Sequence, residues 1–230
     1  MRTLGIIGGM GPFATLDFFK KMLNASDVYV DQEHLHILID NYPQIPDRTD
    51  FLSGRGENPY PFILESTKKL IMLNCDVLCM PCNTAHYWAE QLKRDINGDA
   101  IFIDMIETVK DYIYQNYGSN KKALIIGTNG LVIGKVYDKY FDSSMLIYPE
   151  NILQNKIMTI IKLIKAGKLI ETVNDFNELI TNLKRYRPDI LVTACTEIPL
   201  ILPFIKPDIN IVDTNLILAK RAVEVAYERI

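Results

Sequence analysis

Long hydrophobic runs are missing from this chain of 230 residues, and so are clusters of basic side chains. No apolar stretch approaches the roughly 20 residues that a membrane span requires, so a bilayer is not an expected partner. The formal net charge is -3, without a basic run or a basic amphipathic helix, which argues against nucleic acid and anionic membrane surfaces. A small molecule fits better. Low-complexity segments and proline-rich linkers are also lacking.

Cysteine and histidine are scarce, with four and three residues respectively. The start, Met1-Arg-Thr-Leu-Gly-Ile-Ile, resembles a signal peptide, but Gly8-Gly-Met-Gly-Pro12 interrupts it and Asp17 follows without a small-residue cleavage pattern. A cytoplasmic location with reduced cysteines is therefore expected, and staple disulfides are not. Metal is not expected either. Cys79-x-x-Cys82 has no second Cys-x-x-Cys to complete a zinc site, and Cys79 lies inside an apolar run instead of opening a helix as a redox pair would. His34 and His36 alternate on an expected strand but have no carboxylate or cysteine at ligand spacing. Gly8-Gly-Met-Gly11 does not match the G-x-G-x-x-G pattern of a dinucleotide site.

What is present is ordinary for a globular chain, 48% hydrophobic and 23% charged, and long enough for one large domain or two small ones. Short β-branched runs alternate with helical patterns, as in parallel α/β units. Strands are expected at Thr3–Ile7, Leu35–Asp40, Val77–Met80, Ile101–Ile103, Ala123–Ile126, Ser144–Tyr148, Ile190–Thr193 and Ile209–Val212. Helices are expected at Pro12–Ala25, Tyr60–Leu73, Thr84–Arg94, Ile106–Tyr117, Val132–Tyr140, Ile152–Ala166, Glu171–Arg187 and Asn215–Arg229.

The pattern occurs twice. Ile6-Ile-Gly-Gly-Met-Gly11 is echoed by Ile125-Ile-Gly-Thr-Asn-Gly130, and Asp76-Val-Leu-Cys-Met-Pro-Cys82 by Asp189-Ile-Leu-Val-Thr-Ala-Cys195. The simplest reading is two similar Rossmann-like α/β domains. The first comprises residues 1–117 plus 208–230, with the last strand and helix returning to it; the second comprises residues 118–207.

Each half then ends a buried strand in a cysteine followed by polar residues, Asn83-Thr84 and Thr196-Glu197. Ligands of open parallel sheets bind beyond the carboxyl ends of the strands, so Cys82 and Cys195 fall where function is expected. Nearby backbone N–H groups and a helix start favour a thiolate or a bound carboxylate there. A base on one face of a carbon and an acid on the other would invert it. The plainer alternative is that both cysteines fill the core, as Cys75 and Cys79 are expected to do.

Taken together, Gly5-Ile-Ile-Gly-Gly-Met-Gly-Pro-Phe-Ala-Thr15, Asp31-Gln-Glu-His34, Pro46-Asp-Arg-Thr49, Met80-Pro-Cys-Asn-Thr-Ala-His86, Lys165-Ala-Gly167, Cys195-Thr-Glu-Ile-Pro199 and Asp213-Thr214 form a specific signature. On these segments the chain resembles the cofactor-independent aspartate/glutamate racemase family, and its aspartate racemases most closely. The resemblance implies two α/β domains related by pseudo-two-fold symmetry with the active site in the cleft between them, and a cytoplasmic homodimer that uses neither pyridoxal phosphate nor metal, with Cys82 and Cys195 as bases on opposite faces of the α-carbon. It implies that Arg48 and Lys165 hold the side-chain carboxylate, that Asn83, Thr84, Ala85 and Thr196 cradle the α-carboxylate, and that Met10 and Thr128 line the cleft. Lys165 also reads as an ordinary cation near a helix end, and Thr84 and Thr196 as helix caps. Glu197 reads equally as a group tuning Cys195 or as a first-turn acid, and His86 as structural. Leu131 stands where the family often has a threonine, which bears on substrate choice. Related activities on the same scaffold are racemisation of glutamate or another amino acid and isomerisation of the maleate or hydantoin type. A carboxylate-binding sensor is the non-enzymatic reading.

Overall fold

The computed structural model describes residues 1–228. Its first half contains β1 (Leu4–Gly8), α1 (Pro12–Ala25), β2 (Ile37–Asn41), α2 (Arg48–Leu52), α3 (Tyr60–Met72), β3 (Val77–Cys79), α4 (Ala89–Ile96), β4 (Ile101–Ile103) and α5 (Met105–Tyr117). The second contains β5 (Ala123–Gly127), α6 (Asn129–Ile133), β6 (Leu146–Ile147), α7 (Asn151–Lys165), α8 (Val173–Leu183), β7 (Ile190–Ala194), β8 (Asn210–Asp213) and α9 (Thr214–Ala226). The strands form two parallel four-stranded sheets, ordered β2-β1-β3-β4 and β6-β5-β7-β8. The orders are the same, so the internal repeat seen in the sequence is a repeat of topology.

Matching hydrogen bonds begin the two cysteine-bearing strands. Asp76 accepts from the Thr3 N–H at 2.8 Å, and Asp189 accepts from the Lys122 N–H at 2.8 Å. The backbone N–H groups of Asp76 and Asp189 donate in return to the Thr3 and Lys122 carbonyls. The equal Asp-to-Cys spacing therefore starts from equivalent anchors. A further pair follows the last strand of each sheet, where Asp104 caps α5 and Asp213 caps α9 by accepting backbone N–H bonds.

One apolar core spans both halves, joining β1 and β3 residues such as Ile6 and Cys79 with Ile125 and Val192 of the second sheet and Leu218 and Ala222 of α9. Two outer cores cover the opposite faces, one around Ile63, Leu78 and Trp88, the other around Ile157, Phe176 and Leu191. Cys75 and Cys79 are buried filler. Burial raises the Cys75 thiol to about 11, helped by the Asp76 charge, and burial alone raises that of Cys79.

The expectation that the last strand returns to the first domain is corrected by its pairing. β8 bonds in parallel to β7, with Ile190 opposite Asn210 and Thr193 opposite Asp213, and so completes the second sheet. Only α9 crosses over, packing on α1 and α5. Its expected extension to Arg229 lies outside the described residues beyond Glu228, and the helix itself ends at Ala226.

Several boundaries also differ. The helix expected at Val132–Tyr140 is instead α6 and a series of turns, since Lys135 adopts a left-handed conformation with φ 48°. Residues 84–88 form a 3-10 helix before α4, and α8 is flanked by 3-10 turns. β2 starts at Ile37, so His34 and His36 precede the strand on which they were expected to alternate. α2 was not anticipated.

Candidate active site

Both candidate thiols come from the loops that leave the inner strands of the two sheets. β3 ends at Cys79, and a tight turn with the Cys82 N–H donating to the Met80 carbonyl at 2.7 Å presents Cys82. β7 ends at Ala194, and Cys195 follows directly. A 3-10 helix lies behind each cysteine, at Thr84–Trp88 and Ile198–Phe204, in place of the expected α-helical starts. First-turn N–H groups of such helices have no partner within the helix and can serve an anion.

Cys82 and Cys195 line one cavity, together with Met10, Asp47, Arg48, Thr49, Asn83, Thr84, Thr128, Lys165, Thr196 and Glu197. All the expected site residues are thus gathered except Ala85, which is fully buried behind the wall and could contribute only its backbone. The cavity measures about 10 Å³, room for roughly one water molecule and less than an amino acid fills. Two outer clefts adjoin it, of about 290 and 450 Å³, and share Asp47 and Lys165 with it.

Side chains stitch the halves together around the cavity. The Thr84 and Thr128 hydroxyls pair at 2.7 Å, and Thr196 donates to the Pro81 carbonyl at 3.1 Å. Neither Thr84 nor Thr196 caps a helix through its side chain; Thr128 does, accepting from the Leu131 N–H at 3.2 Å. Asn83 accepts from the Tyr137 hydroxyl at 2.7 Å and donates to Thr214 at 3.0 Å. Gly130 brings α6 against α2, where an added Cβ would stand 2.7 Å from Thr49 Cα. Gly9 holds φ +90° and lies against the Tyr42 backbone, which only glycine permits.

Glu197 is buried and fully engaged. Its Oε2 accepts from the Cys195 thiol at 3.0 Å and its Oε1 from the Gly11 N–H at 3.0 Å. Of the two sequence readings for Glu197, the structure shows the one in which it contacts Cys195. Burial, reinforced by the Glu197 charge, pushes the Cys195 thiol well above its ordinary range, with Lys165 opposing. Lys165 is half-buried rather than a free surface cation. Burial disfavours its charge, yet Glu197 and the thiols outweigh that and raise it above the usual lysine value.

Arg48 is buried and held by the carbonyls of Ile45 at 3.1 Å, Pro46 at 3.0 Å and Met10 at 3.4 Å. His86 receives the Met105 N–H on Nε2 at 3.0 Å and sits 2.9 Å from the Cys82 carbonyl through Nδ1, which requires the neutral tautomer protonated at Nδ1. Burial lowers its pKa, against the pull of Asp104. Leu131 is buried in the shared apolar core and does not line the cavity.

Sequence reasoning missed Asp47, Thr49, Tyr137 and Thr214. Asp47, Thr49 and Thr214 lay inside the motifs already singled out, Pro46-Asp-Arg-Thr49 and Asp213-Thr214, whereas Tyr137 carried no local signal. Among the described residues no group of three or more His, Cys, Asp or Glu side chains is placed to hold a metal, and no helix is long and apolar enough to cross a membrane.

Two repeated parallel α/β units thus bring a cysteine from each equivalent strand end to one cavity. The chain belongs to the Asp/Glu/Hydantoin racemase family, whose model matches residues 7–222. It is an isomerase of the amino-acid racemase type. Across 98% of its length it is 26% identical to the broad specificity amino-acid racemase RacX of Bacillus subtilis, covering 99% of that protein. The solved Picrophilus torridus aspartate racemase superposes with a TM-score of 0.86 at 28% identity, over 99% of this chain and 95% of that one. Glutamate racemase from Francisella tularensis, solved with D-glutamate, shares the fold at a TM-score of 0.70 and 18% identity, over 99% and 82% of the respective chains.

Proposed function

We propose that this racemase interconverts L- and D-aspartate by two-base proton transfer, with Cys82 and Cys195 on opposite faces of the α-carbon. The observation that carries the reading is that thiols from topologically equivalent strand ends line one cavity along with Arg48 and Lys165. One cysteine as thiolate removes the α-proton, leaving a planar carbanion conjugated with the α-carboxylate, and the opposite thiol delivers a proton to the other face. When Cys195 is the base, its proton passes to Glu197, the acceptor already in place at 3.0 Å. The N–H groups around Asn83, Thr84, Ala85 and Thr196 bear the charge that builds on the α-carboxylate.

Arg48 and Lys165 suit the second carboxylate of a dicarboxylic substrate, since a guanidinium binds it in a fixed plane and an ammonium adds a point charge. The scheme needs neither pyridoxal phosphate nor metal, and it extends to a cytoplasmic homodimer, checked by light scattering on the purified protein. Proton NMR of L-aspartate and L-glutamate in deuterated water, with metal chelated, tests the assignment. Loss of the aspartate α-proton signal with formation of the D-isomer is expected, and Cys82→Ala and Cys195→Ala should each abolish racemisation. Turnover of maleate alone would defeat it.

A further inference from the structure

An amino acid carries an ammonium group, and its binding site must supply an acceptor for it if the cation is not to be buried unpaired. Two carboxylates line the cavity, those of Glu197 and Asp47. Each Glu197 oxygen already accepts one hydrogen bond, from the Cys195 thiol and from the Gly11 N–H. The neutral groups each have a partner as well. Asn83 Oδ1 accepts from Tyr137, the Thr84 and Thr128 hydroxyls pair with each other, and Thr196 donates to Pro81.

Asp47 differs from all of these. Its Oδ1 accepts from the Thr49 N–H at 2.7 Å and the Asp50 N–H at 3.0 Å, capping α2, while Oδ2, on a side chain that is exposed, has no hydrogen bond among the described residues. The residue borders the narrow cavity and both outer clefts, so a ligand arriving by either route passes it. It also stands beside Arg48 and near Lys165, giving cations for a carboxylate and an anion for an amine on one wall.

We infer that Asp47 Oδ2 is the substrate-binding acceptor for the α-ammonium group, and that it makes the site selective for amino acids over the corresponding amine-free dicarboxylic acids. Burial alone would favour the protonated form of Asp47. The Arg48 charge, the two backbone N–H groups and Lys165 overcome this and hold the carboxyl below the usual aspartate range, so it is ionised when substrate arrives. This inference rests on the racemase reading and concerns the amine, not the identity of the substrate side chain.

The test uses Asp47→Asn, because an asparagine oxygen can still cap α2 while the negative charge is lost. Wild type and variant are titrated calorimetrically with aspartate and succinate, and with glutamate and glutarate. For whichever amino acid the wild type binds, the variant should bind at least about tenfold more weakly, as befits a lost charge-assisted hydrogen bond. The matching amine-free acid should bind within about twofold of wild type or tighter, since a repelling carboxylate has been removed. Equal weakening of both acids would assign Asp47 a merely structural role, and unchanged amino-acid affinity would remove it from the site; either overturns the inference. Selectivity seen with the glutamate pair and no binding of aspartate would uphold Asp47 and sink the aspartate assignment. A wild type that binds none of these amino acids would overturn both.

Discussion

The Cys195 thiol donates to Glu197 at 3.0 Å, and the same carboxylate reaches across the molecule to the Gly11 N–H. Glu197 thus both receives the proton of one candidate base and ties the second half to the first glycine turn. Glu197→Gln should lower kcat by about a hundredfold or more, the order associated with a lost proton acceptor. The thiol should at the same time become easier to ionise, because the Glu197 charge is one of the causes that raise it. The pH dependence of alkylation at Cys195, read by peptide mass in a Cys82→Ala background, should move to lower pH in the Gln variant. An unmoved or upward shift would contradict this account.

His86 makes stability depend on pH. Its folded-state pKa is lowered from the histidine value of 6.5 by burial, so below about that pH the unfolded chain binds the proton that the native state refuses. Stability is then present above pH 6.5 and lost as pH falls toward the depressed folded value, by at most about 1.4 kcal/mol for each pH unit crossed. Protonation would also abolish the acceptor used by the Met105 N–H. Urea midpoints at pH 7 and pH 5 should fall more in wild type than in His86→Asn; equal falls would count against the assignment.

Tyr137 is fully buried and donates to Asn83 at 2.7 Å from the other half. Tyr137→Phe keeps the ring and strands the Asn83 acceptor, at a cost of about 1–3 kcal/mol. Denaturant unfolding should show the loss, with kcat also lowered because Asn83 follows Cys82 directly. A variant as stable as wild type would show that Asn83 finds another donor.

Gly130→Ala places a Cβ against the Thr49 backbone, which has no flexible end to give way. The halves must separate there, so KM should rise and stability fall by about 1–3 kcal/mol, the usual range for overpacking. Steady-state kinetics and thermal unfolding check both. Unchanged values would mean that the contact between α2 and α6 is loose in solution.

The twofold pattern was legible because it is written in local chemistry. Equal Asp-to-Cys spacings, glycines closing β1 and β5, and β-branched runs of strand length all act within a few residues of one another. The cysteines could be paired on that basis, and Cys75 and Cys79 set aside as core. Asp47 was less legible, since an N-cap beside a motif arginine looks local until the residue is found lining the cavity. Tyr137 could not be found at all, because it lies in irregular turns where a regular helix was expected.

By itself the sequence determined the α/β class and the duplicated strand-to-cysteine units, through periodicity and spacing, while its motifs matched a known family and through that resemblance marked most of the residues that meet at the cavity. Tertiary structure alone decided that β8 joins the second sheet, that the cavity is narrow, and that both Glu197 oxygens accept hydrogen bonds while only one of Asp47 does. Those outcomes depend on hydrogen bonds between groups as far apart as Gly11 and Glu197, or Asn83 and Thr214. Such partners are chosen by the packing of whole layers, which no local pattern along the chain encodes.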